Sequence, residues 1–140
     1  MRIAFTTINF FVVMTLLFGT SKAAIAQDKE MLIRIAEIEV HAQYLKEYIP
    51  ILVEEAEASV RLEKGVISIY PMTVKEDSTK IRILEIYQNK EAYEAHLKTE
   101  HFLKYKKSTL HMVKSLKLLD MEAMDRKTMP QIFLKQKLIF

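Results

Sequence analysis

The chain has 140 residues, 21 basic against 18 acidic, and half of them are hydrophobic, which is enough apolar material for the core of one domain. It contains no cysteine, which excludes a disulfide framework, a thiol nucleophile and a lipid-bearing cysteine anchor. The near balance of charge, with no clustered basic face, gives no sign of nucleic-acid binding.

The chain opens on "MRIAFTTINFFVVMTLLFGTSKAAIAQ". Arg2 supplies a basic start, an apolar run extends from about Ile8 to Phe18, and small residues follow up to Ala24-Ile25-Ala26. That order is the layout of a secretory signal peptide with an A-x-A cleavage site. The apolar run is about half of the ~20 residues that a membrane span requires. Residues 1–26 therefore read as a cleavable leader, and membrane contact is expected only through it. The mature chain would have 114 residues and a net charge of +1, and its expected location is the periplasm, across the inner membrane.

Met31 to Val40, "MLIRIAEIEV", predicts a strand with apolar residues on both faces. His41 to about Lys64 predicts a helix, because Leu45, Tyr48, Ile49, Leu52, Ala56 and Val60 recur at helical spacing. Pro50 inside that pattern predicts either a kink or a later start of the helix. Gly65 suits the left-handed position that ends a helix. Val66 to Thr73 and Ile81 to Gln88 read as a hairpin joined by the polar "VKEDSTK".

Asn89 is a plausible N-cap for a helical region reaching about Met112, with Glu91 favourable in its first turn. Thr99 is a plausible second cap and marks a break. Ser115 to Glu122 alternates as a fourth strand. The domain is thus expected over 27–124, with 125–140 a C-terminal extension containing the apolar "QIFLKQKLIF".

The order β-α-β-β-α-β defines an α+β fold, the ferredoxin-like split βαβ with an antiparallel sheet. Both helices of such a fold lie on one sheet face. The third strand nonetheless carries Ile81, Ile83 and Tyr87 on one side and Leu84 and Ile86 on the other. A sheet apolar on both sides needs a second cover. The expected cover is another copy of the chain, which makes a homodimer with the sheet faces packed together.

The topology and the segment "EIYQNKEAYEAHLKTEHFLKY" resemble the antibiotic biosynthesis monooxygenase family, a branch of the dimeric α+β barrel proteins. The resembling residues are Glu85, Tyr87, Asn89, Glu91, Ala92, His96, Thr99, His101 and Phe102, together with Glu63-Lys64-Gly65-Val66 before the second strand. The resemblance implies an oxygenase without metal or organic cofactor. Its substrates would be O2 and a small electron-rich aromatic, a phenol, quinol or anthrone. Such a substrate supplies the electrons to oxygen once it loses a proton, so the protein needs a dry pocket, a proton acceptor and donors for the developing oxyanion.

His96 is the first candidate for the acceptor, since an imidazole titrates near neutrality. Tyr87 and His101 are the other candidate catalytic residues. Tyr70, Glu85, Phe102 and Tyr105 are candidate substrate contacts. Each has a plainer role available. Tyr87 suits a core aromatic, His101 a surface or dimer contact, Glu85 an ion pair with Arg34 or Arg82, and Asn89 a cap. His96 and His101 stand five apart, about 500° around an ideal helix, and share a face only where the helix breaks.

None of His41, His96, His101 and His111 forms the i, i+4 pair of a helical metal site, so no metal is expected. Haem degradation is disfavoured. Haem-degrading relatives have tryptophan where His96 stands, histidine where Lys106 stands, and an asparagine in the first strand that "IRIAEIEV" lacks. The rival to catalysis is an exported dimeric ligand-binding or stress-response module of the same fold. His96 and Tyr87 lining one cavity would favour the enzyme.

Overall fold

The computed structural model describes residues 30–125 and 127–139, so the leader read at 1–26 lies outside the described residues. Strand β1 (Leu32–Val40) leads through a short 3-10 turn, Ala42–Tyr44, into helix α1 (Leu45–Leu62). The hairpin β2 (Val66–Val74) and β3 (Asp77–Tyr87) follows, then helices α2 (Lys90–His96) and α3 (Glu100–Thr109), strand β4 (Val113–Met121) and helix α4 (Thr128–Ile139). The sheet is antiparallel with strand order β2-β3-β1-β4. This is the expected ferredoxin-like α+β fold, with β4 beside β1 because it returns after the second helical layer. Among the described residues no helix is long and apolar enough to cross a membrane.

Three local expectations change. Pro50 neither delays the helix nor begins it, since α1 starts five residues earlier, at Leu45. Most of the polar "VKEDSTK" is strand: β3 begins at Asp77, whose carboxylate accepts from the Thr79 backbone N–H and hydroxyl at 3.1 and 2.6 Å. Gly65 does not take a positive φ. It is required for space instead, because a Cβ built there would lie 2.5 Å from Ala92 Cβ. The carbonyl of Gly65 also accepts from Gln88 N–H at 2.8 Å, so α1, β2, β3 and the start of α2 converge at this corner.

The core lies between the helices and one face of the sheet. Tyr48, Leu52 and Ala56 of α1 pack on Ala36, Ile38 and Val40 of β1, Ile69 of β2, and Ile81, Ile83 and Tyr87 of β3. The Tyr48 and Tyr105 hydroxyls share a hydrogen bond of 2.6 Å, which ties α1 to α3. On the opposite face, Ile33 and Ile35 pair with Ile86 and Leu84 on one side and with Met121 and Leu119 on the other. Tyr70 and Met72 extend that apolar face along β2 and are exposed. The expected two-sided sheet is therefore present: helices cover one side, and on the other Ile33, Ile35, Leu84 and Leu119 are half-buried, Ile86 is buried and Tyr70 and Met72 are exposed.

The close approach at Gly65 generates a test. Gly65→Ala should lower folding stability by about 1–3 kcal/mol, the usual cost of forcing a methyl into a filled site. Chemical denaturation measures it, and an unchanged midpoint would show that Ala92 can yield.

Candidate active site

The α2–α3 segment folds as two short helices because each has its own cap. Asn89 Oδ1 accepts from the Ala92 N–H at 2.9 Å, and the Thr99 hydroxyl oxygen accepts from the Phe102 N–H at 3.4 Å. The Thr99 hydroxyl also donates to the His96 carbonyl at 2.8 Å, which closes the turn between the helices. A continuous helix would point His96 and His101 apart. The break instead brings the two rings to 6.4 Å between centroids. The separation expected from ideal helical geometry is thus overturned, by the break that Thr99 was expected to offer.

Both rings converge on one carboxylate. Glu63, the residue that ends α1, accepts from His96 Nδ1 at 3.0 Å and from His101 Nε2 at 2.6 Å, both on Oε1. An ionised carboxylate only accepts, so these two ring nitrogens carry hydrogens. That leaves the lone pair of His96 on Nε2, which lies 3.8 Å from Glu55 Oε1. His96 is only 3% exposed and packs against Phe102 and Tyr87, with ring centroids 4.6 and 5.5 Å away. Glu55 is equally enclosed and accepts from the Ser59 hydroxyl at 2.7 Å. Burial pushes the Glu55 carboxyl above its ordinary range, and the Ser59 hydrogen bond opposes that shift.

His96 and Glu55 form part of the wall of a cavity of about 500 Å³ between the helices and the sheet. Tyr87, Glu85, Phe102 and Tyr105 line the same cavity, as do Arg34 and Tyr93. The Tyr87 hydroxyl donates to Glu85 Oε2 at 3.0 Å. Burial raises the pKa of both groups: each loses water around its charged form, and in Tyr87 the nearby Glu85 carboxylate adds to the shift. Glu85 pairs with neither arginine named for it. Arg34 binds Asp120 at 2.6 Å and lies over the Tyr93 ring, while Arg82 binds Glu37 at 3.1 Å. Burial likewise raises the Tyr105 hydroxyl. The walls are otherwise aliphatic, from Ala36, Ile38, Leu52 and Ile83.

Two expected residues fall elsewhere. His101 stands beside His96, half-buried, and is not part of the cavity wall. Tyr70 lies on the opposite sheet face, 61% exposed, across the sheet from the cavity. The cause is a register irregularity between Val66 and Ser68. Strict alternation from the buried Val66 would turn Tyr70 toward the helices, and one extra residue reverses the parity, so Ile69 points inward instead.

Sequence reading missed Glu55 and the role of Glu63. Glu55 had a signal, since it falls between Leu52, Ala56 and Ser59 on the core-facing stripe of α1. A carboxylate there is the kind of buried polar residue that calls for a partner.

Together these features define a ferredoxin-like α+β domain with an aromatic-lined cavity and one carboxylate-held imidazole in its wall. Residues 31–108 match the model of the antibiotic biosynthesis monooxygenase family, and the chain belongs to that family. A "putative antibiotic biosynthesis monooxygenase" of Bacteroides thetaiotaomicron is similar in structure at 41% identity and a TM-score of 0.68, over 69% of this chain and 91% of that one. A "putative monooxygenase" of Lactobacillus acidophilus is 28% identical with a TM-score of 0.64. The match covers 68% of this chain but only 45% of that longer one. A protein of Caulobacter crescentus, 17% identical with a TM-score of 0.62 over 69% of this chain and 93% of that one, shares the fold. No curated protein matches the chain.

Removing the carboxylate that holds both rings should be costly. Glu63→Ala leaves the buried His96 Nδ1–H without its acceptor, and stability should fall by about 1–3 kcal/mol. Glu54→Ala, which breaks an exposed pair with Lys104, should change it by less than about 0.5 kcal/mol. Equal effects in thermal denaturation would contradict the geometry.

Proposed function

We propose that the protein is an exported, homodimeric, cofactor-independent monooxygenase that oxidises a quinol- or anthrone-like aromatic with O2. The observation that carries this reading is His96: a buried imidazole in the wall of an aromatic-lined cavity, held at Nδ1 by Glu63, with Nε2 beside Glu55 of the same wall. His96 and Tyr87 line one cavity, which favours catalysis over a module that only binds.

In this mechanism the substrate ring lies among Tyr87, Phe102 and Tyr105, held by edge and offset contacts. His96 Nε2 takes the acidic proton of the substrate, and Glu63 stabilises the imidazolium through the Nδ1–H bond. The resulting anion is electron-rich enough to reduce O2. For an anthrone, the methylene carbon gains one oxygen atom and loses two hydrogens, and the second oxygen atom leaves with them as water. The substrate supplies all four electrons that reduce O2, so no external reductant enters. The Tyr105 hydroxyl, kept protonated by burial and able to accept from Tyr48, is suited to donate to the developing oxyanion, while Tyr87 donates to Glu85 and the aliphatic walls keep water from quenching the intermediate.

The apolar outer sheet face supports the homodimer: Ile33, Ile35, Leu84 and Leu119 lie there half-buried, with Tyr70 and Met72 exposed beside them. A contiguous apolar face of this kind is the mark of an interface. The leader at 1–26 supports export, and a periplasmic enzyme would meet quinols at the membrane surface.

Oxygen uptake by metal-free protein with a panel of hydroquinones and anthrones tests the chemistry. His96→Ala should reduce turnover about 10²–10⁴-fold, the usual contribution of a positioned base. Uptake no faster than autoxidation for every compound would overturn the reading. For the assembly, sedimentation at micromolar concentration should give twice the mature chain mass, and a single-chain mass would exclude the dimer.

A further inference from the structure

We infer that Glu55, His96 and His101 form a binding site for one divalent transition-metal ion of the zinc class, and that an ion held there takes up the lone pair of His96 Nε2. Each of the three side chains offers one ligand atom, and these atoms all lie within 4.8 Å of one another. Tetrahedral zinc with bonds of about 2.1 Å spaces its ligand atoms by roughly 3.4 Å. The separation between Glu55 Oε1 and His96 Nε2 is already 3.8 Å. The remaining separations need to close by at most about 1.4 Å, from 4.8 to about 3.4 Å, when an ion binds.

The donor set also selects the ion. Two imidazoles and one carboxylate suit zinc, cobalt, nickel or copper, whereas magnesium and calcium demand oxygen ligands. Three protein ligands leave a fourth position, and because Glu55 and His96 line the cavity, that position faces it. Glu63 stands where a carboxylate supports metal-binding histidines: it accepts from His96 Nδ1 and His101 Nε2, which leaves His96 Nε2 and His101 Nδ1 as the nitrogens with lone pairs to give. Charge points the same way. Glu55 and Glu63 are both enclosed, and their ion-pair partners among the described residues are histidines rather than lysine or arginine. A divalent cation offsets that buried negative charge more fully than neutral imidazoles can.

The ion and the proton acceptor would use the same nitrogen, so metal occupancy and base catalysis at His96 are mutually exclusive. Binding is a property of the three side chains alone and does not depend on the monooxygenase reading.

The test titrates Zn2+ and Co2+ alone into the purified protein, stripped of metal by chelator, with calorimetry for Zn2+ and visible absorption for Co2+. One ion per chain is expected, with the strong d–d bands of a low-coordinate cobalt site. His101→Ala and Glu55→Gln should each weaken binding at least about 10-fold. Should either variant fail to fold, wild-type protein provides the second measurement. Zn2+ should shift the imidazole ¹⁵N resonances of His96 and His101 and leave those of the exposed His41 and His111 in place. Absence of stoichiometric binding, affinity unchanged in both folded variants, or shifts confined to His41 and His111 would each overturn the site. Zinc binding without any oxygenase activity would uphold the site and sink only the catalytic reading.

Discussion

The site depends on a single carboxylate oxygen. Glu63 Oε1 accepts from His96 Nδ1 and His101 Nε2 at once, and it can do so because Glu63 ends α1 where the α2–α3 turn passes. The end of α1 is clamped there to α2 and α3, across 33 and 38 residues of sequence. The clamp sets the tautomer of His96, because the nitrogen facing Glu63 must carry the hydrogen. It therefore decides which nitrogen is available to the cavity. Had the carboxylate been absent, the imidazole would be free to rotate or to exchange tautomers, and neither a base nor a ligand would be pre-set.

That clamp exists only because of two small local features. Thr99 ends one helix and caps the next, turning a separation of five residues into a convergence of two rings. Gly65 gives α2 room to approach the corner where α1 ends, since any side chain there would strike Ala92. Each feature acts through backbone geometry rather than chemistry. The chemical residues are placed by them, as a functional group must be placed to within fractions of an ångström if its orientation is to matter.

Much of the fold was legible, because period-two and helical spacings are local. The four strands and the order β-α-β-β-α-β follow from such spacings, and so does the double-sided character of the sheet. Within the site, His96, Tyr87, Glu85, Phe102 and Tyr105 were legible through family resemblance and prove to share one cavity. Tyr70 was not, because a single irregularity in β2 reverses the parity of every later residue in the strand. The contacts of Glu55 and Glu63 were not legible either. Glu63 meets its rings across 33 and 38 residues of sequence, and no local pattern encodes such a distance. The histidine pair shows the sharper lesson. The break at Thr99 was visible, but an ideal helix was still the default for judging the rings, and the cap defeated it.

The cavity and the exposed inner side of β4 are one problem rather than two, distinct from the opposite sheet face. Helices cover the inner face over β2, β3 and β1 but leave the edge strand β4 largely bare. Leu116 and Leu118 of β4 and Leu110 after α3 belong to the cavity wall, yet they are 57, 46 and 71% exposed. The end around His96 is enclosed, and the outer end opens to water past these leucines. Chemistry that passes through a carbanion or phenolate needs water excluded along the whole substrate. Whatever covers β4 therefore controls more than the stability of the sheet. A partner that packed against this edge would lengthen the apolar wall and strengthen every electrostatic contact inside it. In such an assembly the oligomeric state and the reactivity of His96 are linked through the same exposed leucines.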